Sequence, residues 1–314
     1  MAAFPVVHRL SGLPDAVAVY EVGPRDGLQA EKAMVGVAVK LEFIGRLADA
    51  GLKAIEATSF VSPRWVPQLA DAADVLAALE RRPGIRYPVL VPNRRGLDRA
   101  LAAGADEVAV FVSATERFAA ENLGTTRQGA LDLAAPVVER ARGLGLPVRG
   151  YVSMGFGDPW EGRVAPDQTA AVAAELVAMG CRTISLGDTI GVATAGGVHA
   201  VLAAAEQAGV ARDRIALHFH DTYGQALTNV LAGLQAGVRE FDASAGGLGG
   251  CPYARSATGN LATEDLVWML DGLGIDTGID LSRLVQTSVW MAAQLGRRAP
   301  SRVVTALAAD FERA

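Results

Sequence analysis

The residues best suited to chemistry are two histidines, His218 and His220, which flank a phenylalanine. They fall at the end of a predicted strand, where side chains two positions apart point to the same side. Both imidazoles can then reach one cation, and imidazole nitrogens are common ligands of divalent metals. The alternative is a pair of hydrogen-bonded core histidines. Because the chain has only four histidines, this arrangement of two of them favours a metal site.

Oxygen ligands for the same cation are predicted at Asp26 and Asn260. Asp26 follows the first predicted strand and Asn260 lies in the loop after the eighth, and these strands are neighbours if the sheet closes into a barrel. Two imidazoles, a carboxylate and an amide oxygen suit six-coordinate Mg²⁺ or Mn²⁺ better than a closed tetrahedral zinc site. Asp26 also fits an ordinary turn position.

A permanent positive charge, Arg25, precedes Asp26. The next strand ends at Glu56, whose carboxylate can orient the guanidinium through paired hydrogen bonds. A cation at this position can stabilise a developing enolate. A purely structural ion pair accounts for the same two residues.

A thiol, Cys251, lies in a loop with five glycines among residues 245–260. Burial explains such a thiol poorly, so we predict that it is functional. The other cysteine, Cys181, stands beside an apolar strand and is predicted to be a core residue.

The elements that position these residues are eight short apolar runs with amphipathic segments between them, the alternation typical of a parallel sheet. Eight such units, with no GxGxxG after the first strand, favour an α/β fold of the closed (β/α)8 TIM-barrel type with extra C-terminal helices. We expect residues 1–314 to form a single catalytic domain, with the barrel over about 17–279 and the extra helices over about 281–313. The predicted strands are Val17–Val22, Leu52–Ala57, Arg86–Val91, Glu107–Val112, Val148–Ser153, Thr183–Gly187, Ile215–Phe219 and Glu240–Ser244.

Composition excludes several classes of protein. Apolar residues make up 51% of the chain and charged residues 20%, which predicts a packed enzyme rather than a disordered chain. A net charge of -5 without a basic stripe argues against nucleic-acid binding. We expect no membrane span, no targeting segment and a cytoplasmic location.

Five motifs together resemble the hydroxymethylglutaryl-CoA (HMG-CoA) lyase family of DRE-TIM-type metallolyases. The resemblance extends from about Val17 to Ile279, and the Gly-Gly-Cys-Pro-Tyr-Ala loop is its most specific part. The barrel and the His-x-His motif are shared with synthases of the isopropylmalate type and with ketoacid aldolases. The motifs are Glu21 to Gln29, Ile55 to Pro63, Ser185 to Gly191, His218 to Gln225 and Gly246 to Asp265.

The resemblance implies cleavage of 3-hydroxy-3-methylglutaryl-CoA, or a closely related branched thioester, to acetyl-CoA and acetoacetate, as in leucine breakdown. It implies a divalent cation, Mg²⁺ or Mn²⁺, and a homo-oligomer, with a dimer favoured. In this reading Arg25 holds the enolate, Cys251 protonates it or relays the proton, and Asp26 or His218 takes the hydroxyl proton. The cation ligands would be Asp26, His218, His220 and Asn260, the supporting residues Gln29, Glu56 and Asp188, and the substrate or CoA contacts Lys32, Asn122, Ser153 and Ser185.

The chain departs from the family pattern after the fifth strand, at Met154, Asp158 and Trp160. This departure predicts a reshaped acyl pocket and leaves the branch of the substrate open. Two alternatives to the lyase remain at this point: a synthase that condenses acetyl-CoA with an α-keto acid, and a non-catalytic barrel that binds metal or CoA.

Overall fold

The computed structural model describes residues 5–250 and 259–311. Within them, strands and helices alternate along the chain, and all paired strands run parallel. All eight predicted strands are present, with ends that shift by a few residues. They are Ala18–Glu21, the two segments Ala54–Ile55 and Thr58–Ser59 of the second strand, Val89–Leu90, Val108–Ser113, Val148–Ser153, Thr183–Asp188, Ile215–Phe219 and Glu240–Ala243.

The sheet closes into a barrel at the second strand. Its first segment pairs with the first strand, and its second segment pairs with the third strand. Between the segments, the Glu56 N–H donates to the Glu21 carbonyl (2.8 Å) and the Ala57 N–H donates to the Pro88 carbonyl (2.9 Å). Because successive residues bond to opposite neighbours, the ladder of hydrogen bonds continues around the circle. The predicted (β/α)8 barrel is confirmed.

Helices surround the barrel, and α6 shows how the sequence defines one. It begins with Pro166, which is tolerated in a first turn because its missing N–H needs no partner there. It ends at Gly180, whose φ of 111° few other residues adopt. The predicted core residue Cys181 follows and is fully buried. The helices are α1 Val37–Asp49, α2 Ala72–Ala78, α3 Arg94–Ala102, α4 Glu116–Leu123, α5 Arg127–Gly143, α6 Pro166–Met179, α7 Ala195–Gln207, α8 Ala226–Gln235, α9 Thr263–Gly272, α10 Leu281–Gln294 and α11 Arg302–Phe311.

The apolar core has two parts. The larger part lies between the outer face of the sheet and the helices. The smaller part fills the barrel interior and includes Tyr20, Val22, Leu90 and Tyr151. The interior is therefore packed rather than open, and polar groups that face it must find partners there. None of the helices in the described ranges is long and apolar enough to cross a membrane.

The two C-terminal helices pack on the barrel. Helix α10 lies against α1 and against the turn Ala245–Gly247 that follows the eighth strand, while α11 lies against α9 and α10. Ser288 in α10 donates a hydrogen bond to Glu264. The Ser301 hydroxyl donates to Asp265 (2.7 Å). These helices therefore support the segment from which the glycine-rich loop departs.

Candidate active site and metal centre

Three predicted cation ligands meet at the carboxyl-terminal end of the barrel. Asp26 lies in the helical turn Gly23–Gly27 after the first strand, His218 lies in the seventh strand, and His220 follows it. One ligand atom from each residue lies within 4.8 Å of the others. An isolated bridge pairs His220 with Asn260, so the fourth predicted ligand adjoins the same point.

The unpaired atoms of this cluster suit a hard divalent cation. The Asn260 amide nitrogen donates to Asp26 Oδ2 (2.9 Å) and to the Leu248 carbonyl (3.1 Å). Its Oδ1 is buried without a hydrogen-bond partner, as is Nδ1 of His220. Buried polar atoms without partners are costly, and a cation that accepts oxygen and imidazole ligands would satisfy them. The donor set therefore fits Mg²⁺ or Mn²⁺.

The charges of the cluster prepare it for a cation. Burial raises the pKa of Asp26, but Arg25 and the two histidines have the larger, opposite effect. The resulting pKa is about 2. Burial and the neighbouring His218 lower the pKa of His220 to about 3. Burial also lowers the pKa of His218, but Asp242 and Asp26 outweigh it and raise the pKa above its ordinary value. Asp26 and His220 thus stand in the deprotonated forms that metal binding requires.

Arg25 is held beside the cluster by two carboxylates and a ring. Its Nε donates to Glu56 Oε2 (2.6 Å), and its Nη1 donates to Asp26 Oδ1 (2.6 Å). The guanidinium carbon lies 5.3 Å from the centre of the Tyr151 ring, in the range of a cation–π contact. Burial raises the pKa of Glu56, and Arg25 opposes that rise. The guanidinium is thereby fixed beside the predicted metal ligands.

Two predicted residues have polar atoms that are engaged by neighbouring protein groups. Asp188 ends the sixth strand and accepts hydrogen bonds from the Val192 and Ala193 N–H groups (2.8 and 3.0 Å), and burial raises its pKa to about 6. Ser185 is fully buried and its hydroxyl donates to Asp242 (2.8 Å). The Ser185 hydroxyl is thus engaged within the barrel, and its contact with substrate or CoA stays a prediction.

The other predicted site residues differ in exposure. Gln29, Lys32 and Asn122 are exposed, and Ser153 is partly buried at the end of the fifth strand. Cys251 lies outside the described residues.

The segment that departs from the family pattern is tightly held. Met154 is buried with a φ of 57°, a strained backbone conformation for this side chain. Its N–H donates to the Thr189 hydroxyl (2.8 Å). Asp158 is buried and accepts a hydrogen bond from Thr115 (2.7 Å) and another from the Trp160 N–H (2.7 Å). Strain next to a cluster of polar groups is typical of a functional site.

Two charged residues of the barrel interior were missed by the sequence analysis. Asp242 is buried within 3.3 Å of His218, and Arg149 pairs with both Asp242 and Glu240. A signal was available, because each charge lies inside a predicted strand of a parallel sheet, where residues are usually apolar and buried on both faces. Charged residues are seldom buried without a partner.

Comparisons with known proteins agree with this geometry. The HMGL-like family model matches residues 16–290. Rat cytoplasmic 3-hydroxy-3-methylglutaryl-CoA lyase is 47% identical over 298 residues, covering 95% of this chain and 87% of the relative. Mouse mitochondrial hydroxymethylglutaryl-CoA lyase is 51% identical over 294 residues, covering 94% of this chain and 90% of the relative.

Solved structures give the same result. Hydroxymethylglutaryl-CoA lyase from Pseudomonas aeruginosa superposes with a TM-score of 0.93 at 48% identity, covering 95% of this chain and 99% of that one. An HMG-CoA lyase from Acinetobacter baumannii, in complex with coenzyme A and 3-methylmalate, has a TM-score of 0.88 at 37% identity, covering 95% and 97% of the two chains. With a matching family model over most of its length and relatives near 50% identity, the chain belongs to the HMGL-like family, that of the HMG-CoA lyases.

Proposed function

We propose that this chain is a metal-dependent lyase that cleaves 3-hydroxy-3-methylglutaryl-CoA, or a closely related branched 3-hydroxyacyl-CoA, to acetyl-CoA and acetoacetate or the corresponding ketoacid. The observation that carries the proposal is the meeting of Asp26, His218 and His220 beside the buried Arg25. The names of the relatives and the coenzyme A bound by one of them support the substrate class.

In this proposal Asp26, His218, His220 and Asn260 hold Mg²⁺ or Mn²⁺. The bound cation supplies Lewis acidity, which favours loss of the proton from the substrate's tertiary hydroxyl group. Asp26 and His218 are the candidate bases, and the pKa of about 2 makes Asp26 the weaker base of the two. Asn260 Oδ1 and Nδ1 of His220 are buried without a hydrogen-bond partner, and Asp26 carries charge.

Arg25 acts on the other half of the substrate. When the bond between C2 and C3 breaks, the C3 oxygen becomes the ketone of acetoacetate and negative charge develops on the thioester oxygen. The Arg25 guanidinium donates to that oxygen, and its position is set by Glu56 and Tyr151. We propose that Cys251 returns a proton to C2, which completes acetyl-CoA. Gln29, Glu56 and Asp188 position these groups.

Contacts with substrate or CoA are proposed at Lys32, Asn122, Ser153 and Ser185. Helix α4, which carries Asn122, contributes Arg117 and Ala120 to an open cavity of about 1120 Å³ that Thr125 and Trp160 also line. A cavity of this size at the rim can accept the nucleotide end of a thioester.

The test is an assay for acetoacetate and acetyl-CoA with a panel of branched 3-hydroxyacyl-CoA thioesters, run with EDTA and after Mg²⁺ or Mn²⁺ is restored. We expect turnover that EDTA abolishes and the cation restores. We expect Arg25→Gln and Cys251→Ala to lower turnover by orders of magnitude with Mn²⁺ binding intact. Arg140→Gln, which removes an exposed arginine, serves as the matched control. Tight Mn²⁺ binding with no cleavage of any thioester contradicts the proposal, and product from acetyl-CoA plus an α-keto acid would replace it with a synthase.

We also propose that residues 1–314 form one catalytic domain, with the barrel over about 17–279 and the C-terminal helices over about 281–313. The bonds from Ser288 to Glu264 and from Ser301 to Asp265 support it, because they join those helices to the barrel. Limited proteolysis is the test: a stable fragment that lacks the C-terminal helices contradicts it.

A homodimer is proposed as the assembly. Met34 and Trp65, in the loops after the first two strands, are 64% and 81% exposed, and a contact between two copies would remove this apolar surface from water. Light scattering after gel filtration tests it, and a monomer at micromolar concentration contradicts it.

A cytoplasmic location is proposed from the cytoplasmic relatives, and recovery of the full chain in an organelle fraction contradicts that proposal.

A further inference from the structure

Asp242 lies directly beside one of the metal-site histidines. It is in the eighth strand, in register with His218 of the seventh strand, and is 1% exposed. Its Oδ2 lies 3.3 Å from Nδ1 of His218. This distance is slightly long for a hydrogen bond, and contacts of this kind often shorten when a site is occupied. The carboxylate is therefore placed to act on the imidazole.

The remaining capacity of the Asp242 carboxylate is committed to donors. Oδ1 accepts a hydrogen bond from Nη2 of Arg149, and Oδ2 accepts one from the Ser185 hydroxyl (2.8 Å). Arg149 is itself fixed, because it pairs with Glu240 and lies 4.0 Å from the centre of the Tyr20 ring. A carboxylate held in this way can accept hydrogen bonds but cannot donate them.

The group that faces Oδ2 must therefore be a donor, which requires a proton on Nδ1 of His218. In a neutral imidazole a proton on Nδ1 leaves the lone pair on Nε2. Outer carboxylates that fix the tautomer of a metal-ligating histidine are a general feature of metal sites. Nδ1 of His218 has no other hydrogen-bond partner within the described chain, and Nδ1 of His220 has none at all.

We propose that Asp242 is a positioning residue, which holds His218 in the tautomer with Nδ1 protonated and so presents Nε2 to the divalent cation. The proposal rests on the proposed metal site. A buried ion pair is by itself weak evidence of a stabilising role. The proposal gives the buried Arg149–Asp242 pair a different role, in positioning His218.

Asp242→Asn is the informative substitution because it keeps the shape of the side chain. Arg149 has no acceptor capacity, so the new amide oxygen must face its guanidinium. The amide NH₂ then faces His218 and requires an acceptor at Nδ1. This moves the imidazole proton to Nε2 and removes the lone pair that the cation needs. Glu240→Gln is the matched control, because it neutralises the other carboxylate on Arg149 without facing His218.

The experiment is ¹⁵N NMR of the histidine side chains in the metal-free full chain at about pH 9, where free imidazole is neutral. His8, His199, His218 and His220 give four signals, assigned by single His→Gln variants. For His218 we expect Nδ1–H in the wild type and in Glu240→Gln, and Nε2–H in Asp242→Asn. Mn²⁺ titration by electron paramagnetic resonance is expected to show about 10–100-fold weaker binding in Asp242→Asn only.

Nε2–H at His218 in the wild type overturns the proposal, and so does unchanged Mn²⁺ affinity in a folded Asp242→Asn variant. If that variant does not fold, the tautomer of His218 in the wild-type protein still tests the proposal. The measurement needs no substrate, so failure of the lyase assay leaves it intact. A wrong tautomer in an active lyase would remove the positioning role and leave the proposed function standing.

Discussion

Removal of the Arg25 charge should destabilise the fold far more than removal of an exposed charge with the same contact distance. Arg25 and Glu56 are 2.6 Å apart, with side chains 8% and 0% exposed. Breaking a buried pair on one side costs about 3–5 kcal/mol. We expect the lower end for Arg25→Gln, because the buried Glu56 already has a raised pKa and takes up a proton once the arginine is gone. In a chain of this length about 3 kcal/mol lowers Tm by about 4–5 °C.

The matched control is Arg140→Gln. Arg140 and Asp98 are also 2.6 Å apart, but their side chains are 42% and 50% exposed. Exposed pairs contribute about 0–1 kcal/mol because water and salt screen them. Urea unfolding of both variants at pH 7 gives the comparison. Equal losses of unfolding free energy in the two variants would show that burial of the ion pair does not determine the destabilisation.

A double variant and pH sharpen this prediction. Arg25→Gln with Glu56→Gln should lose less than the sum of the single losses, because the two residues interact directly. In Arg25→Gln the folded-state pKa of Glu56 lies above its unfolded value. Stability is then fully present below the unfolded pKa and is lost as pH rises through the folded pKa. The deficit of Arg25→Gln should therefore widen from about pH 5 to pH 8, and a constant deficit would refute this reasoning.

Three further predictions concern the proposed cation ligands and the buried carboxylates. Asn260→Ala removes the unpaired amide oxygen and should weaken Mn²⁺ binding by at least about tenfold in equilibrium dialysis; unchanged affinity would exclude it as a ligand. Mn²⁺ affinity should fall by about tenfold per pH unit below the raised pKa of His218, whereas His220, with a pKa of about 3, should cause no loss between about pH 5 and 8. Burial raises the pKa of Glu264 to about 8 and that of Glu21 to about 7. The folded state therefore holds protons that the unfolded chain releases. The free energy of unfolding should decline as pH rises from about 5 to 9. Glu264→Gln should flatten this decline in thermal unfolding, and a parallel curve would contradict the assignment.

The sequence alone determined the eight strands, the barrel and the meeting of the predicted cation ligands. Strand periodicity and the glycine at the end of a helix such as α6 are local properties, so they can be read along the chain. The proximity of Asp26 to His218 and His220 also followed, because the ends of parallel barrel strands share one rim.

Only the tertiary structure decided which buried charges face each other across the barrel. Arg149 and Asp242 are 93 residues apart. No local sequence pattern predicts that these side chains of strands five and eight meet inside the barrel. The same is true of Ser185, whose hydroxyl donates to Asp242, 57 residues further along the chain. Hydrogen-bond partners inside a barrel depend on the stagger of its strands and on side-chain rotamers, and these become definite only when the sheet has closed.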